Sequence, residues 1–153
     1  METHLKKIRM PLSLLAICMA LFSFSSRWGG EGFEIYLNNK LLLQQFGSSM
    51  SAVKTIQLDQ RFSKETLTVK YYHCEQAGKN RRITIKDEQG KNLKVWNFAD
   101  SKNTGLNLSV HDILALQHGA NKNPLNLFYS SSELPKGRLL VSIEPERAYK
   151  TIP

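Results

Sequence analysis

Short runs with an apolar residue at every second position, each closed by turn residues, dominate this chain and commit it to sheet. Phe33, Ile35 and Leu37 alternate with Glu34 and Tyr36. Asn38-Asn39 then suits a two-residue turn with positive φ, and Lys40 to Phe46 returns as a second apolar run, so a hairpin is expected. Ile56 and Leu58 mark a short strand. Thr66 to His73 is the clearest strand, with Leu67, Val69, Tyr71 and His73 on one face and Thr66, Thr68, Lys70 and Tyr72 on the other. A second hairpin is expected from Arg82 through Phe98, turning at Asp87-Glu88-Gln89-Gly90, where Gly90 accommodates φ > 0. The alternation resumes at Leu106, Leu108 and Val110, at Leu125, Leu127 and Tyr129, and at Leu139, Val141 and Ile143.

One segment breaks the pattern. Ser109-Val110-His111-Asp112 has the shape of a capping box, Ile113-Leu114-Ala115-Leu116 follows, and Gly119 is suited to end a helix, which predicts one or two helical turns near residues 110–117. Eight or nine short strands with this little helix predict an all-β fold, an antiparallel β-sandwich of immunoglobulin-like or similar shape. A small closed barrel is the alternative. The Cys…Trp…Cys pattern of antibody domains is missing, so an immunoglobulin label would concern shape only.

The first 25 residues read as a secretory signal peptide rather than as part of this fold. Lys6, Lys7 and Arg9 precede an uncharged run from Met10 to Ser26, and Ser23 and Ser25 put small residues before a cut after Ser25. The apolar run falls short of the roughly 20 residues that a spanning helix needs. An uncleaved N-terminal anchor is the alternative. Cys18 does not make a lipoprotein signal, because Ile17 rather than a small residue precedes it and the apolar run continues beyond it. Cleavage of the 153-residue chain leaves residues 26–153 as a single domain, large enough for one core. Only Cys74 remains, so no intrachain disulfide staples it. An exported protein, periplasmic or extracellular, is therefore expected.

The net charge is +8, and the surplus is uneven. Lys79, Arg81, Arg82, Lys86, Lys91 and Lys94 stand against only Asp87 and Glu88 in residues 79–94. With Ile83 and Ile85 inward, Arg82, Thr84 and Lys86 share an outer face, and Lys70 joins them if the strands on either side of loop 74–81 pair. Such a stripe suits phosphate, sulfate or uronic acid groups, and otherwise serves as a solvated face that discourages edge pairing. Trp96 decides between the two: outward it would stack on a sugar or base beside the stripe, inward it joins the core. The candidate ligand-binding residues are thus Lys79, Arg81, Arg82, Lys86 and Trp96.

Other chemistries have less in their favour. His73 and Cys74 are neighbours on a strand, which points their side chains to opposite faces and separates a thiol from its base. His111 and His118 lack the spacing of a tight ligand pair, and no metal is expected. Gly78-Lys79 lacks the spacing of a phosphate loop, and no acid pair suggests glycoside hydrolysis. No catalytic residue and no cofactor is expected. The function that fits is an exported, non-enzymatic β-sandwich that binds or supports an anionic polymer, a glycan or another envelope protein, with nucleic acid disfavoured. An anion- or glycan-binding module using residues 79–94 is the alternative, and a small thiol-dependent enzyme or redox protein using Cys74 is the second.

Overall fold

The computed structural model describes residues 30–74 and 76–145, so the expected signal segment 1–25 with Cys18 lies outside the described residues. Within the described residues nine strands form two sheets. Sheet I has the order β2-β1-β4-β7, from β1 (Gly32–Leu37), β2 (Lys40–Phe46), β4 (Thr66–Tyr72) and β7 (Leu106–Ser109). Sheet II has the order β3-β9-β8-β5-β6, from β3 (Lys54–Gln57), β5 (Arg81–Lys86), β6 (Asn92–Phe98), β8 (Leu125–Ser130) and β9 (Arg138–Glu144). All pairs are antiparallel except β3 with β9. The fold is an all-β sandwich.

Local chemistry explains the turns. Asn38 and Asn39 both take positive φ, 45° and 66°, the geometry that lets a two-residue turn follow the twist of β1 and β2. Between β5 and β6, Gly90 sits at φ 82° and its N–H donates to the Asp87 carbonyl, while the Asp87 carboxylate accepts from the N–H of Lys91.

The core is the meeting of two alternating faces. Phe33, Ile35, Leu67, Val69 and Leu106 from sheet I pack in one buried cluster with Ile83, Ile85, Leu125, Leu127 and Ile143 from sheet II. Bulges alter the alternation locally. In β9 the expected inner residue Leu139 is only half-buried and Leu140 is buried instead, because the register shifts opposite Leu127 and Phe128. A second shift, opposite Ile35 and Tyr36, adds Leu42 to β2, the edge strand of sheet I.

The helix is longer than the one or two turns expected. α1 (Val110–Gly119) spans ten residues, and the Ser109 side chain caps it by accepting from the N–H of Asp112. Val110, Ile113, Leu114 and Gln117 follow the helical repeat and are buried. That continuous face sustains the third turn, and Gln117 fastens it by donating to the Ile143 carbonyl. Among the described residues no helix is long and apolar enough to cross a membrane.

Candidate functional site

The register of the second hairpin answers the question posed by Trp96. Ile83, fully buried, stands opposite Trp96, and directly opposed residues share a face, so Trp96 lies half-buried on the inner side. Lys94 pairs in the same way with buried Ile85. Its ammonium reaches Asp112 of α1 at 2.6 Å and lies 4.8 Å from the centroid of the Trp96 ring.

The basic stripe is therefore narrower than its residue count suggests. Arg81 does not join it: the side chain is only 4% exposed, and its Nε and Nη1 donate to the carbonyls of Ala99 and Thr104, each at 2.7 Å. An arginine can start an inward-facing run when carbonyls of a neighbouring loop satisfy its fork of donors. Lys70 is in sheet I, since β4 and β5 belong to different sheets. Arg82 and Lys86 remain on the outer face of sheet II, with the Lys86 ammonium 4.6 Å from the ring centroid of Phe128. Lys79 and Lys91 are exposed in the flanking loop and turn.

The two sheets meet in a polar cluster at one end. Tyr71 of β4 and Tyr129 of β8 stack with centroids 4.1 Å apart and planes 11° from parallel. The Tyr71 hydroxyl donates to Glu31, whose other oxygen takes Arg138 at 2.9 Å. His73 Nε2 lies 2.8 Å from the Tyr129 hydroxyl and 3.3 Å from Ser131 Oγ. Burial pushes both tyrosines above their usual range, with the Glu31 hydrogen bond adding to the rise at Tyr71. Burial also lowers the His73 imidazole; Glu133 and Glu31 oppose that shift and Arg81 adds to it. Ser131 is itself buried, which closes it to an incoming substrate. Cys74 is exposed at φ 36°, and among the described residues no hydrogen bond joins it to His73.

The outer face of sheet I carries a feature that alternation alone did not bring together. β1 pairs with β4 so that Glu34 stands opposite Lys70, Tyr36 opposite Thr68, and Gly32 opposite Tyr72. The hydroxyls of Tyr36 and Tyr72 both donate to Glu34 Oε2, at 2.7 and 2.8 Å. Their acidities fall as a result: the Glu34 hydrogen bond leads at Tyr36, and burial leads at Tyr72. Phe46 of β2 lies over Gly32, where a Cβ would come within 2.0 Å of its ring, and stacks on Tyr72 at 5.7 Å. The Lys70 ammonium sits 4.9 Å from the Tyr36 ring centroid. Phe46 and Leu41, the partner of Tyr36, are 38% and 44% exposed. The result is a ledge of rings, held in place by one carboxylate and one glycine.

A shallow cleft between α1 and the loop before β4, lined by Leu58, Asp59, Gln60, Leu114 and His118, has a volume of about 200 Å³. That is below the roughly 300–1,000 Å³ of small-molecule pockets. Among the described residues no three His, Cys, Asp or Glu side chains gather as a metal set. Compared with known protein families and with curated proteins, the chain matches none of either.

Two outcomes follow from these placements. Arg81→Ala leaves two carbonyls without donors and costs about 1–3 kcal/mol in chemical denaturation, whereas Arg82→Ala with Lys86→Ala stays within about 0.5 kcal/mol. Equal losses in the two variants would contradict the assigned faces. His73 supplies the second. Its folded pKa lies below the ordinary value near 6.5, so the unfolded chain binds its proton first as pH falls. Stability is full above pH ~6.5 and declines as the pH drops from there toward the folded pKa. His73→Gln flattens the melting temperature between pH 7 and 5, and an unchanged slope assigns the dependence to other groups.

Proposed function

We propose that this chain is an exported, non-enzymatic β-sandwich that binds its partner across a sheet face, and that the face is the outer side of sheet I. The observation that carries this is the convergence of the Tyr36 and Tyr72 hydroxyls on Glu34 beside Phe46 laid over Gly32. Rings already held in one geometry lose little conformational freedom on binding, which favours association over an open surface. Sheet II offers less to a partner, because Trp96, Arg81 and Lys94 of the basic segment are turned inward. Export rests on the charged, apolar and small-residue layout of residues 1–25.

Co-sedimentation with the host's isolated cell envelope tests this role. The full-length chain recovered after export should co-sediment, and Tyr36→Ala with Tyr72→Ala should reduce the bound fraction by about tenfold or more, the scale of losing stacked rings. Arg82→Ala with Lys86→Ala should co-sediment as the unsubstituted protein does. No sedimentation, or sedimentation that ignores the rings, removes the basis for the proposal.

A further inference from the structure

We infer that the ledge on sheet I takes a glycan bearing carboxylates, a polymer containing uronic acids; this rests on the binding role proposed above. Three features of the ledge define that chemistry. The Phe46 ring lies against Gly32 and is 38% exposed, so its open side offers an apolar surface to the C–H face of a sugar ring. Gly32 and Tyr36 are four residue steps apart along β1, a span of roughly 13 Å, which gives the ledge the length of an oligomer rather than of one hexose. Glu34 uses Oε2 for the two tyrosine hydroxyls, and its Oε1, which takes no hydrogen bond among the described residues, can accept from ligand hydroxyls.

Charge selects the acidic class. The Lys70 ammonium is held 4.9 Å from the Tyr36 ring centroid, and among the described residues no carboxylate pairs with it. A ligand carboxylate beside the rings completes the ion pair that the protein leaves open. A protein partner is disfavoured, because its anchoring side chain seeks a well-packed pocket and this surface is a ledge.

The test is an NMR titration of the full-length chain after export. The probes are soluble oligomers of galacturonate, mannuronate and hyaluronan, with neutral galactan and mannan oligomers alongside. A uronate oligomer should shift the resonances of Phe46, Tyr36 and Tyr72. Tyr72→Ala should weaken that binding about tenfold. Lys70→Met should weaken it about threefold while leaving any neutral oligomer unaffected. Tyr72→Phe, which keeps the ring, should retain most of the affinity and so separates loss of stacking from loss of fold. The inference is overturned if no uronate oligomer binds, if the shifts map to Arg82 and Lys86, or if Lys70→Met changes nothing. Should uronates fail while envelope co-sedimentation still depends on the rings, the ligand class falls and the binding face stands. Loss of both removes the face as well.

Discussion

Tyr71 and Tyr129 stack across the sandwich, 4.1 Å apart and nearly parallel, and tie the inner face of one sheet to that of the other. Among the described residues Cys74 is the one cysteine, so the sheets are joined by packing and hydrogen bonds. The ring pair is the point where both meet. Glu31 and Arg138 bind the Tyr71 side, and His73 and Ser131 bind the Tyr129 side. A buried network of this kind stays favourable only when its members are satisfied, and no buried side-chain nitrogen or oxygen among the described residues lacks a partner.

The stack also sets the parity of two strands. With Tyr71 inward, Lys70 and Tyr72 must face out on sheet I; with Tyr129 inward, Phe128 must face out on sheet II. The two outer faces differ in kind as a result. Sheet I presents rings fixed by Glu34 and Gly32, with one cation among them. Sheet II presents Arg82 and Lys86 with Phe128, while Lys94 of β6 is spent on Asp112 and Arg81 of β5 on loop carbonyls.

Much of the fold was legible because period two is a direct consequence of the pleat. The Asn38-Asn39 turn, the Gly90 turn, the inner residues of β4, β5 and β8, and the Ser109 cap all follow from local chemistry. What alternation cannot report is which strand lies beside which. Tyr36 and Tyr72 each read as outward, but only the pairing of β1 with β4 brings their hydroxyls to one carboxylate. The same gap placed Lys70 beside the basic stripe, when β4 and β5 lie in different sheets. Leu139 and Leu140 exchange roles at a bulge, and Arg81 turns inward toward carbonyls more than fifteen residues away; neither has a local signature.

Ring-current shifts measure the central claim most directly, since an aromatic face displaces the proton resonances beneath it. With the sheet parity described, one Gly32 Hα lies under Phe46 and moves strongly upfield, and Tyr71 and Tyr129 show nuclear Overhauser contacts between their rings. Phe46→Leu then returns the Gly32 signal to its ordinary position while the Tyr71–Tyr129 contacts persist. A Gly32 Hα at its ordinary position in the unsubstituted protein, or tyrosine rings without mutual contacts, contradicts both the parity and the ledge built upon it.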